Sequence, residues 1–206
     1  MNAELDQVSR PDAKHVVRFY DNEEVLVAEL TDYAAAALRS RDAFVTIATP
    51  AHFEALRARL YGRGLGADTA IADGRWLHMD CGQTLDTLLR DGMPDAAAFA
   101  EALQAPLVRI SARHHGVRAF GEMVAKLCES GNHAGAIRLE ELWNGLLEVL
   151  PIALLCAYPL ASFAGEDGRK AFARICAEHG QVLPAKSAVR ATPGSGASAQ
   201  APQPNT

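Results

Sequence analysis

The sequence lacks the glycine-rich loops with which α/β domains hold phosphate. Neither GxxxxGK[ST] nor GxGxxG follows a predicted strand, and Gly62, Gly64 and Gly66 follow a helix instead. After the first predicted strand, residues 19–24 read FYDNEE, with neither glycine nor lysine and with three carboxylates. Because these charges repel phosphate, the sequence excludes the usual mode of nucleotide or dinucleotide binding.

Patterns for metals, disulfides and covalent catalysis are also absent. The four cysteines are widely spaced without a CxxC pair, and neither HExxH nor a GxSxG elbow occurs. Cys176 and His179 stand three residues apart on a predicted helix, but two ligands do not make a metal site. We therefore predict no metal, no cofactor and no catalytic nucleophile.

The chain has no secretory signal at its start and no apolar run of the roughly 18 residues needed to span a bilayer. Its net charge is -5, and the basic residues are scattered among acidic ones. A surface that binds nucleic acid needs clustered lysine and arginine. These features predict a cytoplasmic protein that binds neither membrane nor nucleic acid.

Strand-like and helix-like segments alternate along the chain, as expected for βα units around a parallel sheet. We predict an α/β fold, a three-layer αβα sandwich with a mostly parallel central sheet. Residues 14–186 form this domain, 1–13 a flexible arm, and 187–206, which are rich in Pro, Gly, Ser, Ala and Gln, a disordered tail.

Hydrophobic periodicity and capping residues set the predicted elements. Residues 152–157 are apolar throughout, which predicts a strand in the middle of the sheet. Asp21 and Thr49 are predicted N-caps, and Pro106 is expected to kink or divide a helix. The predicted strands are 15–20, 44–48, 76–79, 117–121 and 152–157, and the main predicted helices are 22–40, 50–61, 94–115, 132–149 and 168–178.

Ligands of open parallel sheets bind beyond the carboxyl ends of the strands, where loops and helix N-termini meet. Polar and aromatic residues stand at the predicted strand ends. We therefore expect a ligand site at this edge. The candidates there are Phe19, Tyr20, Asp21, Thr49, Glu122 and Tyr158.

Glu122 is the most suggestive single residue, because a carboxylate in an apolar stretch can act as a base or a hydrogen-bond partner. A structural carboxylate that pairs with an arginine or caps a helix is the alternative. A second candidate cluster consists of Glu140, Glu141, Trp143 and Asn144, in which Glu140 and Asn144 share one helical face. A solvated polar face with Trp143 in the core explains this cluster equally well.

Six segments, in this order, together resemble one known family, the MEDS domain or methanogen/methylotroph sensory domain. The resemblance covers about residues 15–184, and His15, which opens its first segment, joins the candidate ligand-binding residues. The segments are HVVRFY (15–20), IATPAH (47–52), RAFGEMV (118–124), RLEELWN (138–144), LCAYP (155–159) and ICAEH (175–179).

The resemblance implies a RecA/KaiC-like fold without nucleotide-binding motifs, used to sense small molecules such as hydrocarbon derivatives. Such domains are coupled to a histidine kinase, an anti-sigma-type kinase or a DNA-binding transcriptional regulator. The expected function is a stand-alone sensory domain that binds a small, partly apolar ligand and signals to a separate protein. The alternatives are a ligand-free protein-interaction module and a small-molecule enzyme with Glu122 as general base.

Overall fold

A computed structural model describes residues 14–185, so the predicted arm and the whole of the predicted tail lie outside the described residues. Six strands form one all-parallel sheet in the order β3-β2-β6-β7-β1-β8, and β4 and β5 form a small antiparallel hairpin. The strands are β1 (His15–Tyr20), β2 (Ala43–Ala48), β3 (Trp76–Asp80), β4 (Leu89–Arg90), β5 (Met93–Pro94), β6 (Val117–Gly121), β7 (Ile152–Pro159) and β8 (Gln181–Leu183).

Helices cover both faces of the sheet, which makes the predicted three-layer α/β sandwich. Helices α1 to α3 share one apolar core with one face of the strands, and the helices that follow share a second core with the other face. The helices are α1 (Glu23–Ser40), α2 (Pro50–Gly62), α3 (Ala67–Ala72), α4 (Cys81–Leu88), α5 (Ala96–Phe99), a π-helical segment (Ala100–Gln104), α6 (Ala105–Ser111), α7 (Met123–Glu129), α8 (His133–Val149), a 3-10 turn (Leu160–Phe163) and α9 (Gly165–Glu178).

The predicted central position of β7 is confirmed, since it pairs with β6 on one side and β1 on the other. After β2 the chain crosses outward to β3, whereas after β6 it crosses the other way to β7. Neighbouring strands whose connections leave in opposite directions open a crevice at their carboxyl ends. The strand order therefore places a crevice between Thr49, after β2, and Glu122, after β6.

Several predicted boundaries are wrong for local reasons. Asn22 rather than Asp21 caps α1, because its side chain accepts from the Val25 amide at 3.1 Å. Pro94 lies in the hairpin strand β5, and the helix that it was expected to open begins after the cap Asp95. The helix predicted to run to residue 115 ends at Ser111. A π-helical segment stands just before Pro106, whose ring removes a backbone N–H donor.

Several short elements escaped prediction. The helix α3, the hairpin strands β4 and β5 and the edge strand β8 are too short for a periodic signal. Val149, the last residue of α8, is 68% exposed because it stands at the helix end. The RecA/KaiC-like relationship of the fold stays a prediction.

No helix between residues 14 and 185 combines the length and the apolar character required to cross a bilayer.

Gly168, in the first turn of α9, has no room for a side chain. A Cβ atom there would lie 2.5 Å from the carbonyl carbon of Phe163. We expect Gly168→Ala to destabilise the protein by about 1–3 kcal/mol, the usual cost of overpacking, although alanine favours helix. Gly145→Ala in α8 is the matched control, since nothing lies within 4 Å of its Cβ position. Urea denaturation checks both, and equal effects would contradict the close approach.

Candidate functional site

The carboxyl edge of the sheet holds a cavity of about 120 Å³ at the crevice between β2 and β6. Tyr20, Thr49 and Glu122, three of the predicted site residues, line it together. The first turns of α1, α2 and α7 complete the wall. The other lining residues are Glu23, Ala51, His52, Ala125, Lys126 and Glu129.

Glu122 is the central group of this cavity, and it is buried. One carboxylate oxygen accepts a short hydrogen bond from the Thr49 backbone amide, and the other lies 2.6 Å from Nδ1 of His52. The amide contact arises because Thr49 begins α2 and leaves its N–H free of the helix. Glu122 therefore pairs with a histidine rather than with the arginine considered as an alternative from the sequence.

The Glu122 contact fixes the orientation of the His52 ring. With Nδ1 directed at the carboxylate, Nε2 is left on the side of Glu23, whose carboxylate is 4.0 Å away. The hydrogen bond to Glu122 raises the pKa of His52 and outweighs the opposing effect of burial. Burial, reinforced by Glu122, raises the pKa of Tyr20, which keeps its hydroxyl protonated as a donor. The cavity thus offers both donors and acceptors.

The His52–Glu122 pair makes stability depend on pH. Because the folded-state pKa of His52 is raised, its stabilising contribution is complete below the ordinary histidine pKa of about 6.5 and disappears as pH rises through the folded value. Glu122 and Glu23 favour the charged ring, and Lys126 opposes it. We expect the stability difference between wild type and His52→Gln to shrink between about pH 6 and pH 9. Urea denaturation across this range measures it.

His78 supplies a control, because its pKa is shifted in the opposite direction to that of His52. Burial lowers its pKa, and its ring stacks on Phe53 at 3.7 Å between centroids. A histidine with a lowered pKa contributes stability above its ordinary pKa, and this contribution is lost as pH falls. The difference between wild type and His78→Gln should therefore shrink toward low pH. Parallel curves for wild type and His52→Gln would show that the pair does not titrate as described.

The remaining carboxyl-edge candidates lie apart from this cavity. Phe19 and Tyr158 are buried on the opposite face of the sheet, because side chains alternate along a strand. Phe19 packs on Tyr158, Phe163 and Phe172 at centroid distances of 4.4–5.9 Å. Asp21 is exposed. The structure therefore separates candidates that the strand-end rule had placed together.

A second cavity, of about 400 Å³, opens beside the first at the end of β7. It shares Glu129 with the smaller cavity and is lined also by Cys128, His133, Pro159 and Ser162. His133 Nε2 lies 3.3 Å from the Ser162 carbonyl oxygen. Glu129 is therefore the lining residue common to both cavities.

Another group of predicted residues forms a buried cluster between the sheet and helices α8 and α9. Glu140 is completely buried, and its Oε1 accepts from the Tyr158 hydroxyl at 2.6 Å. Its Oε2 lies 3.2 Å from Nε2 of His15 and 3.5 Å from the Cys156 sulfur. Nε2 of His179 lies 3.4 Å from Oε1. Glu140 is therefore the centre of a buried polar cluster and does not lie on a solvated face.

Electrostatics in this cluster favour a charged Glu140. Burial by itself would raise the pKa of Glu140, but His179 and His15 outweigh it and hold the pKa well below its usual range. Burial by itself would lower the pKa of His179, but Glu140 outweighs burial, so that the pKa of His179 is raised. Burial and the Glu140 charge both raise the pKa of the Cys156 thiol. His, Cys and Glu are also the side chains that bind transition metals.

Trp143 and Asn144 have different surroundings although they are adjacent on α8. Trp143 is 1% exposed and packs edge-on against Phe99 at 5.2 Å between ring centroids. Oδ1 of Asn144 accepts from Nδ1 of the His15 ring at 2.7 Å, and the amide nitrogen of Asn144 donates to the Glu178 carbonyl at 3.0 Å. The predicted common face of Glu140 and Asn144 is confirmed, since both contact His15.

Of the residues that contact Glu122 or Glu140 in these sites, sequence reasoning did not select His52, Cys156 and His179, although His179 was considered with Cys176 as a metal ligand. His52 had a usable signal, because it stands in the first turn of a helix that follows a strand at the carboxyl edge. Cys156 stands in an apolar strand, where cysteine is usually a small hydrophobe. His179 follows the last helix. Nothing in the local sequence connects the last two residues with His15.

The fold and the cavity define a three-layer α/β domain of the type that places ligands at the carboxyl edge of its sheet. The family model described as MEDS, MEthanogen/methylotroph, DcmR Sensory domain, matches residues 14–174. The chain therefore belongs to the MEDS family, which is a family of sensory domains. A comparison with curated proteins found no significant match.

Proposed function

We propose that this protein senses a small, partly apolar molecule in the cavity at the carboxyl edge of the sheet. The observation that carries the proposal is the convergence of Tyr20, Thr49, Glu122 and His52 on one cavity in a domain of a sensory family. The Glu122–His52 pair supplies polar contacts, and the Tyr20 ring with the methyl groups of nearby alanines supplies apolar surface.

The size of the cavity limits the ligand class. Pockets for drug-sized molecules measure about 300–1,000 Å³, whereas this cavity measures about 120 Å³. A molecule of a few heavy atoms fits this space, such as a short-chain alcohol, amine or halide. Three helix N-termini meet at the cavity, so that a bound molecule contacts α1, α2 and α7 together. A shift of these helices would carry the signal to a histidine kinase, an anti-sigma-type kinase or a transcriptional regulator in the cytoplasm.

The test is a thermal-shift titration with methanol, methylamine, trimethylamine and dichloromethane, followed by calorimetry. A ligand at about 100 times its Kd should raise the Tm by about 5–10 °C for a domain of this size. Glu122→Gln and Tyr20→Phe should reduce the shift produced by any molecule that binds. Glu24→Gln is the matched control, because Glu24 is exposed on α1 and does not line the cavity. Equal shifts in wild type and Glu122→Gln would place the ligand elsewhere.

A second candidate function is supported by the orientation of His52. A carboxylate that holds one ring nitrogen of a histidine, with the other nitrogen directed outward, is the arrangement of a general base. In that case His52 would take a proton and Glu122 would orient the ring. Recovering the bound molecule unchanged after prolonged incubation, as measured by NMR, supports sensing, whereas conversion that His52→Gln abolishes supports an enzyme.

A further inference from the structure

Four metal-binding side chains from four separate elements meet in the buried cluster around Glu140. They are His15 at the start of β1, Glu140 on α8, Cys156 on β7 and His179 after α9. One donor atom from each lies within 4.8 Å of the other three, and all four residues are buried. None of these four residues is among those that line the cavity at the carboxyl edge.

The hydrogen bonds outside the cluster fix which ring nitrogen of each histidine faces inward. Nδ1 of His179 must donate to the Ile175 carbonyl, 2.7 Å away. The amide of Asn144 donates to Glu178, which turns its Oδ1 toward Nδ1 of His15 at 2.7 Å. Both histidines therefore direct Nε2 at the cluster. Metal-binding histidines usually donate their other N–H to a carbonyl in this way.

These orientations leave lone pairs facing one another when the histidines are neutral. The two Nε2 atoms and the Glu140 carboxylate would then be acceptors turned toward one another, and the Cys156 thiol supplies a single proton, which it donates to Oε2 of Glu140 at 3.5 Å. Among residues 14–185, no atom makes a hydrogen bond of good geometry with the buried Nε2 of His179, whose nearest carboxylate contact is Oε1 of Glu140 at 3.4 Å. Protons on both Nε2 atoms would instead place two cationic rings 4.0 Å apart in the core. A bound cation removes both the lone-pair conflict and the repulsion.

The spacing of the donors matches that of a tetrahedral zinc site. Bonds of about 2.0–2.3 Å at tetrahedral angles separate the donor atoms of neighbouring ligands by about 3.3–3.7 Å. The distances are 3.2 Å from His15 Nε2 to Glu140 Oε2, and 3.5 Å from the Cys156 sulfur to each of these atoms. The fourth donor, from His179, lies within 4.8 Å of the other three.

We propose that His15, Glu140, Cys156 and His179 form a closed structural site for Zn²⁺ or a similar divalent transition-metal ion. Two nitrogens, one sulfur and one oxygen suit a borderline ion, whereas Mg²⁺ and Ca²⁺ prefer oxygen ligands throughout. Tyr158 engages the other oxygen of Glu140, so that the carboxylate binds through one oxygen. Four protein ligands leave no open position for substrate. The site is independent of the proposed sensory ligand.

Metal analysis of the full chain tests this proposal. The protein should contain about one zinc per chain when it is unfolded and refolded with zinc and then desalted, as expected for a four-ligand site. Refolding with Co²⁺ should give a thiolate-to-cobalt charge-transfer band, which Cys156→Ser abolishes. Cys128→Ser is the matched control, because Cys128 is buried but lies outside the set, and it should keep both the band and the stoichiometry.

Asn144→Ala tests the orientation of His15 without removing a ligand. Loss of a group that orients a metal ligand commonly weakens affinity about 10–100-fold, and this variant should do so. Refolded wild type that contains negligible zinc and shows no cobalt band would overturn the proposal. So would equal loss of the band in Cys128→Ser and Cys156→Ser.

Two further measurements keep the metal proposal testable on its own. Wild type refolded with zinc should unfold at higher urea concentration than wild type refolded with chelator, and equal midpoints would overturn the site even if a variant fails to fold. Metal content of Glu122→Gln should equal that of wild type, since Glu122 lies at the other site. Loss of ligand response in Glu122→Gln with full zinc content therefore separates the two proposals.

Discussion

Replacing Arg18 with methionine is expected to lower the free energy of unfolding by about 3–5 kcal/mol, the usual effect of removing one partner from a buried ion pair. Arg18 lies on β1, and its Nε forms an ion pair with a carboxylate oxygen of Glu29 on α1, 2.9 Å away, with both side chains almost fully buried. Its Nη1 donates to the Pro184 carbonyl just after β8 at 2.7 Å. One guanidinium thus connects α1, β1 and the end of the edge strand. Urea denaturation measures the loss.

The double variant Arg18→Met/Glu29→Met separates an unbalanced buried charge from lost packing. If the cost arises because Glu29 is left charged in the core, removing that charge should recover much of the stability. Arg18→Lys should fall between wild type and methionine, since one ammonium cannot reproduce the planar geometry of the guanidinium. A double variant that is less stable than Arg18→Met would contradict this account.

Replacing Trp143 with alanine is expected to cost about 3–5 kcal/mol, the usual loss for a large aromatic side chain removed from a core. Trp143 is 1% exposed on α8 and packs edge-on against Phe99. Leu139 and Leu146, on neighbouring turns of the same helix, are buried in the same core. Alanine would therefore leave a cavity between α8 and α5. Denaturation in urea, followed by circular dichroism, checks the size of the loss.

Trp143→Phe distinguishes a packing role from a ligand contact. Phenylalanine keeps an aromatic ring beside Phe99 and should cost less stability than alanine. If Trp143 only fills the core, the affinity of Trp143→Phe for any molecule that binds at the Glu122 cavity should equal that of wild type. A loss of affinity without a loss of stability would instead make Trp143 part of a ligand site.

Much of the layered fold could be predicted because its signals are local. The uniformly apolar segment of β7 indicated a strand buried on both faces, and Thr49 followed by Pro50 indicated a helix start. The short helix α3, the hairpin and β8 were not predicted, since a few residues show no period. The prediction that Pro94 opens a helix was wrong for a related reason, since proline is tolerated both in the first turn of a helix and in an edge strand.

The site was predicted in part, and the reason lies in the pleat of the sheet. The rule that ligands bind at the carboxyl edge brought Tyr20, Thr49 and Glu122 to one cavity. The same rule could not tell that Phe19 and Tyr158 lie on the opposite face, because it locates strand ends without assigning faces. Glu140 and Asn144 were correctly placed on one face of α8, since helical periodicity alone decides that relation.

The sequence by itself determined that the chain is an α/β sandwich without a phosphate loop, because strand alternation and missing glycines are visible residue by residue. Only the tertiary structure decided what each acidic residue faces. The order of the strands brings Glu122 beside His52, and the packing of α8 and α9 on β1 and β7 encloses Glu140 with His15, Cys156 and His179. These contacts join residues far apart in the chain, and no local pattern records such a pairing.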